Sequence, residues 1–156
     1  MSTGRLSAAV IGVLLVLVYA GGSGFWVETN SAWYSALKRP WWQPPDIIFG
    51  LIWPYNFIVL GFAMVFIAQR LSRGQVIAAL VVFALSVAAA LLWSYLFYVS
   101  HSLGASAVAL GTAALLTIPV VWFTFQTSNI AGLLLLPYQA WVLVATSLAW
   151  GYSRLN

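Results

Sequence analysis

Charged side chains are scarce in this sequence, which has six basic and two acidic residues among 156. Soluble domains carry about 25% charged residues, so these few charges cannot cover the surface of a water-soluble protein. Hydrophobic residues make up 63% of the chain, and its mean hydropathy is +1.00. The composition therefore predicts a single polytopic membrane domain over residues 1–156.

Cysteine is absent, and histidine occurs once, at His101. The lack of cysteine excludes disulfides, thiolate nucleophiles and cysteine-ligated metals, and a lone histidine cannot form a multi-histidine site. We therefore expect no metal site. The basic residues lie at the edges of apolar runs and form no clustered patch, so we expect contact with membrane lipid and no nucleic-acid partner.

Five uncharged runs are each long enough to cross a bilayer, which takes about 20 residues. They predict an all-α membrane protein, a bundle of five transmembrane helices over residues 6–27, 47–68, 75–99, 103–125 and 130–151. Three connections are short enough to be tight turns, so consecutive helices are expected to be antiparallel neighbours. The first connection, residues 28–46, is predicted to be a long loop rich in tryptophan and proline.

The first apolar run also resembles a signal peptide, because Arg5 precedes it and Val18-Tyr19-Ala20 resembles a cleavage site. We favour a retained helix, because the apolar character continues to Val27. The orientation stays open, because each side of the membrane receives three basic residues. These are Arg5, Arg70 and Arg73 on one side, and Lys38, Arg39 and Arg154 on the other.

Aromatic residues are abundant, with nine Trp, nine Phe and seven Tyr, whereas no Asp, Glu, Lys or Arg lies well inside a predicted helix. The second observation argues against an ion-coupled pump. Two stripes at helical spacing are typical of core packing, and they also suit the wall of a cavity for a flat aromatic ligand, together with Trp53 and Asn56. The stripes are Ser86, Ala90, Trp93 and Phe97, and Tyr138, Trp141, Ala145, Leu148 and Tyr152.

The segment Trp33–Pro45 reads WYSALKRPWWQPP and lies between the first two apolar runs. Its prolines restrict the backbone and disfavour helix in the residues before them. These properties predict a rigid lid over the cavity, with Trp41 and Trp42 as bulk. Lys38 and Arg39 are placed to pair with ligand carboxylates.

This segment resembles the signature WY-x-x-L-x-K-P-x-W-x-P-P of the TspO/MBR family, also called tryptophan-rich sensory proteins or translocator proteins. Further motifs resemble the family in matching order, from Trp33 to the last helix. They are Phe49-Gly50 with Trp53, Trp93-Ser94 with Phe97, Ala131-Gly132, residues 137–142, Ala145 with Leu148, and Leu155-Asn156.

The resemblance implies a five-helix bundle, commonly a homodimer, whose first loop caps a pocket for lipophilic ligands. Family ligands include tetrapyrroles, so protoporphyrin IX or haem is the candidate ligand, and no other cofactor is expected. The implied function is binding for sensing or transport. One alternative is light- and oxygen-dependent porphyrin degradation, with Trp53 and Trp141 as catalytic residues; a second is a structural role without a ligand.

The candidate ligand-binding residues come from the lid, the stripes and the family motifs together. They are Trp33, Lys38, Arg39, Trp41, Trp42, Trp53, Asn56, Ala90, Trp93, Phe97, Tyr138, Trp141, Ala145 and Leu148. The predominance of arginine over lysine, amid Ala, Leu and Val, is typical of GC-rich prokaryotic genomes. A prokaryotic cell membrane is therefore the expected location.

The sequence departs from the family pattern where amide side chains are usual, since Ser86, Ala90 and Ala149 occupy those positions. Their joint presence predicts a more apolar pocket. A sterol-recognition pattern is also present, but apolar helices that end in Tyr and a basic residue meet it often by chance. It consists of Leu148, Tyr152 and Arg154.

Overall fold

The computed structural model describes residues 3–156, which form six helices and, within that range, no strand. Five helices are long and apolar enough to cross a membrane. This confirms the predicted all-α membrane fold with five spanning helices. The helices are α1 (Thr3–Phe25), α2 (Ala32–Ala36), α3 (Asp46–Arg70), α4 (Arg73–Tyr98), α5 (Leu103–Thr127) and α6 (Asn129–Leu155).

Capping residues account for the sharp turns between the long helices. Ser72 begins α4 with a capping box, in which its side chain and that of Gln75 each bond to the other's backbone N–H. Ser128 caps α6 by accepting from the backbone N–H of Ala131. At its other end α6 continues four residues past the predicted end, to Leu155. Arg154 in this last turn complements the helix dipole.

The short helix α2 lies inside the connection that the sequence predicted to be a loop. Ser31 starts it, because its side chain accepts a 3.2 Å hydrogen bond from the backbone N–H of Tyr34. A single turn of helix has too few residues to show an apolar period, so the sequence pattern did not indicate it.

The five spanning helices form a ring in the order α1, α4, α5, α6, α3. Helices α4, α5 and α6 pack as consecutive neighbours, as the short connections predicted. The prediction is wrong for α3 and α4, which contact each other little although a tight turn joins them. The physical reason is that α1 packs against both helices and so occupies the position between them.

The two ends of the bundle differ in chemistry. At one end arginine side chains close the bundle: Arg5 donates to the carbonyl of Gln69, and Arg70 donates to the carbonyl of Thr127 at 2.9 Å. The other end carries residues 26–45, hereafter the lid. The buried core extends from the arginine end toward the lid and includes Leu60, Met64 and Phe83.

Helices α1 and α3 are in close contact at Gly12. A β-carbon added at Gly12 would lie 2.6 Å from Cβ of Met64, whereas one added at Gly61 of the same interface would meet no atom within 4 Å. We expect Gly12→Ala to destabilise the protein by about 1–3 kcal/mol through overpacking. Gly61→Ala is the matched control and is expected to be neutral or slightly stabilising.

Thermal unfolding in detergent, followed by circular dichroism, measures both variants. Equal melting temperatures for Gly12→Ala and Gly61→Ala would contradict the close packing of α1 on α3.

Candidate functional site

A cavity of about 810 Å³ lies between the lid and the bundle. Helices α1, α3, α4 and α6 contribute to its wall, together with the lid, whereas no residue of α5 does. The contribution of α1 consists of small residues, Ala20, Ser23 and Gly24. Because these residues have little side-chain volume, the space beside α1 is left open to the cavity.

Aromatic rings from α3 and α6 form the deeper part of the cavity. Phe49, Trp53 and Phe57 are spaced four residues apart and therefore share one face of α3. The ring of Trp53 stacks on Phe57 with 5.6 Å between centroids and 24° between planes. Phe49 contacts Trp141 of α6 edge-on at 5.1 Å. This arrangement offers flat apolar surfaces to a ligand.

The part of the cavity next to the lid is polar. Thr29, Asn30, Ser35 and Gln43 line it, together with the charged residues Arg39 and Asp46, the first residue of α3. The Arg39 guanidinium lies 5.6 Å from the centre of the Tyr34 ring, a distance typical of a cation–π contact. The cavity therefore combines an aromatic floor with a polar mouth that carries one cation and one carboxylate.

Hydrogen bonds attach the lid to the end of α6. The Asn156 amide binds both backbone groups of Lys38: its Oδ1 accepts from the N–H at 2.9 Å, and its Nδ2 donates to the carbonyl at 3.1 Å. The Tyr152 hydroxyl donates to Oε1 of Gln43 at 2.5 Å. Gly151 allows the Pro40 ring of the lid to lie against α6, because a β-carbon at Gly151 would lie 2.7 Å from that ring.

Aromatic contacts attach the lid to the end of α4. Trp33 stacks on His101 with 3.8 Å between ring centroids and 9° between planes. His101 has φ of 56°, a left-handed conformation that directs the chain from α4 into α5. Phe97 lies against both Trp33 and Tyr152, at 5.7 and 5.4 Å. The lid therefore spans from α4 to α6 across the cavity.

The structure brings half of the predicted ligand-binding residues together in the cavity wall. Both tryptophans considered for porphyrin degradation, Trp53 and Trp141, are among them. The wall residues that were predicted are Arg39, Trp53, Trp93, Phe97, Trp141, Ala145 and Leu148.

Four predicted lid residues do not line the cavity. Trp33 packs on His101, and Lys38 contributes its backbone to the Asn156 contact. Trp41 and Trp42 face away from the cavity: Trp41 is 91% exposed, and the Trp42 indole donates to Ser147 on α6. The reason is that both lie at the tip of a turn, which the Gln43 N–H closes on the Pro40 carbonyl at 3.1 Å.

Asn56, Ala90 and Tyr138 lie in the buried core and do not line the cavity. Ser86 is also buried there, where its hydroxyl donates to the Ala113 carbonyl at 3.2 Å. The prediction of a more apolar pocket rested on the absence of amide side chains at Ser86, Ala90 and Ala149. It is wrong for the first two, because only Ala149 lines the cavity. The α4 stripe is split, with Ser86 and Ala90 buried in the core and Trp93 and Phe97 on the cavity.

The sterol pattern on α6 has two residues in the cavity wall. Leu148 and Tyr152 line the cavity and are buried, whereas Arg154 is exposed. The Tyr152 hydroxyl is occupied by Gln43 of the lid. Leu148 and Tyr152 therefore do not form a continuous lipid-facing surface with Arg154, which a sterol bound outside the bundle would need.

Sequence reasoning missed several wall residues. Phe49 and Phe57 could have been predicted from the sequence, since each lies four residues from Trp53 and therefore on the same face of the helix. Tyr34 belongs to the recognised lid motif, and its hydroxyl is 3.5 Å from that of Tyr152. The small residues of α1 gave no such signal, because Ala20 and Gly24 also suit helix packing.

Asn56 is fully buried, and neither polar atom of its side chain has a hydrogen-bond partner within residues 3–156. A buried amide without a partner lowers stability. We expect Asn56→Leu, which removes both polar atoms at similar volume, to raise the free energy of unfolding by about 1–3 kcal/mol. Chemical denaturation in mixed micelles measures the change, and a loss of stability would show that the amide is satisfied.

The chain is similar to known proteins over most of its length. The sequence profile of the TspO/MBR family matches residues 10–155. The chain is 32% identical to a tryptophan-rich sensory protein of Cereibacter sphaeroides, over 80% of this chain and 77% of the relative. It is 31% identical to the tryptophan-rich protein TspO of Chlorobaculum tepidum, over 96% and 94%, and 29% identical to the translocator protein of Homo sapiens, over 86% and 81%.

Proposed function

The chain belongs to the TspO/MBR family, and we propose that it binds a tetrapyrrole such as protoporphyrin IX in the cavity beneath the lid. It is a multi-pass integral membrane protein with five spanning helices, and a prokaryotic cell membrane is the proposed location. Binding is the step that sensing and transport share. The names of the relatives, sensory protein and translocator protein, belong to those proteins and are compatible with either role here.

The observation that carries the proposal is the division of the cavity into an aromatic floor and a polar mouth. Its volume of about 810 Å³ lies within the range of about 300–1,000 Å³ found for small-molecule sites. A protoporphyrin has the matching division, with a flat aromatic ring and two propionates on one edge. The ring would lie against Trp53 and Phe57, and the propionates would point to the mouth, where Arg39 supplies the positive charge.

Two indole N–H groups also support a ligand with hydrogen-bond acceptors. Trp93 and Trp141 both line the cavity, and their Nε1 atoms are buried with no partner among residues 3–156. A buried donor without a partner lowers stability, and an acceptor atom of a ligand would satisfy it.

The proposal is tested by filling the cavity. We expect Ala145→Phe, which adds a ring to the α6 wall, to weaken protoporphyrin IX binding by about tenfold or more, because the added ring occupies part of the space that the ligand needs. Leu143→Phe is the control on the lipid-facing side of the same helix, where Leu143 is 53% exposed. Tryptophan-fluorescence quenching in detergent measures both; saturable quenching that Ala145→Phe leaves unchanged would contradict this site.

Arg39 provides a test of how the ligand is oriented. We expect Arg39→Gln to weaken the binding of protoporphyrin IX by about three- to tenfold, because one charge-assisted contact in a partly solvated mouth is lost. The dimethyl ester of protoporphyrin IX lacks the propionate charges, so its affinity should not change.

Lys38→Gln is the matched control, since it removes the same charge one residue away without lining the cavity. Equal effects of Arg39→Gln on the acid and the ester would rule out the proposed orientation.

A further inference from the structure

A second concave surface runs along the lipid-facing side of the contact between α1 and α3. It is a groove of about 540 Å³, formed by apolar residues that include Leu17, Ile58 and Phe62. These three side chains are 59–61% exposed, so in a bilayer they contact acyl chains. The groove lies at the depth of the spanning helices and opens directly onto lipid.

The groove and the cavity meet at two shared residues. Ala20 of α1 and Phe57 of α3 line both. Ala20 is too small to separate the two spaces, so the Phe57 ring is the only large side chain that belongs to both walls. The Phe57 ring therefore lies between the cavity and the groove.

The packing of α1 on α3 suits an opening at this position. The helices are closest at Gly12 and Met64, near the arginine end, where Arg5 also bonds to Gln69. Toward the lid the interface contains Gly61, and a β-carbon there would meet no atom within 4 Å. The space beside Gly61 is therefore unfilled, between the contact at Gly12 and the contacts of Tyr19 with Trp53 and Phe57.

We propose that this groove is a lateral portal through which the lipophilic ligand passes between the bilayer and the cavity, with Phe57 as its gate. The inference rests on the proposed function, because it concerns the route to the same cavity.

The contacts of Phe57 are consistent with a gate. Its ring stacks on Trp53 and meets Tyr19 edge-on at 5.4 Å, and it has no hydrogen-bonding atom. Rotation of the ring would therefore break no hydrogen bond. A rotamer change of this kind is fast compared with the opening of a hydrogen-bonded loop.

The route through the lid is less suited to a ligand dissolved in lipid. The lid is held by the Asn156 amide and by Tyr152 on α6. Beside it the cavity carries Arg39 of the lid and Asp46 of α3; Arg39 attracts the propionates of the ligand, and neither charged group offers an apolar surface to its ring. An apolar ring already in the acyl region meets the groove first.

The test measures rates and affinity separately. Protoporphyrin IX is delivered from phosphatidylcholine vesicles to the protein in nanodiscs, and stopped-flow tryptophan quenching follows entry and release. We expect Gly61→Leu, which fills the groove, to slow association and dissociation by about fivefold or more, with the Kd changed by less than about twofold, because a route changes rates alone.

Phe57→Ala is the second variant and should accelerate association; its dissociation is faster in any case, because the ring also forms part of the cavity floor. Gly50→Leu is the matched control on α3, because a β-carbon at Gly50 also meets no atom within 4 Å and Gly50 lines neither space. Its rates should equal those of the wild type.

The outcomes separate the portal from the site. Saturable binding with unchanged association rates in both Gly61→Leu and Phe57→Ala would overturn the portal and leave the proposed function intact. A lowered affinity of Gly61→Leu at an unchanged association rate would overturn it as well, since the groove would then be part of the binding site. Absence of saturable quenching in the wild type would overturn the proposed function and the portal together.

Discussion

The attachment of the lid to α6 is the interaction on which the cavity depends. Without it, the end of the bundle would be an open funnel of aromatic side chains between four helices. The Asn156 amide satisfies both backbone groups of Lys38, and Gly151 lets the Pro40 ring lie directly against the α6 backbone. Because the contact uses the lid backbone, it positions the whole segment and not one side chain. The prolines help, since they leave the segment few other conformations.

The rest of the bundle leaves space for the cavity, because its core does not fill the end next to the lid. Near the arginine end, side chains from several helices interdigitate and the core is fully buried. Toward the lid, α1 carries Ala20 and Gly24, so packing stops and the cavity begins. The spanning helices carry no charge at mid-depth, which is what a site for a neutral, flat ring in lipid requires. The charged groups of the site, Arg39 and Asp46, lie where the cavity meets water.

The sequence predicted the fold well, because runs of apolar residues directly reflect the thickness of the bilayer. It predicted the site only in part. Which face of a helix meets the cavity depends on helix rotation, and this is why Ser86 and Ala90 belong to the core although they continue the stripe of Trp93. The positions of Trp41 and Trp42 depend on a turn whose hydrogen bond the sequence does not show. Phe49 and Phe57, in contrast, were predictable from their spacing to Trp53.

The most direct measurement of the central claim is the rate at which trypsin cleaves after Lys38 in nanodiscs. Cleavage needs the backbone of the lid to leave α6, so it reports lid opening. Removal of the two hydrogen bonds to Lys38 in Asn156→Ala should raise this rate by about fivefold or more, and Asn129→Ala, at the other end of α6, should leave it unchanged. Saturating protoporphyrin IX should slow the cleavage of the wild type. Equal rates for Asn156→Ala and the wild type would contradict the account, because the lid would then be held by contacts other than those of Asn156.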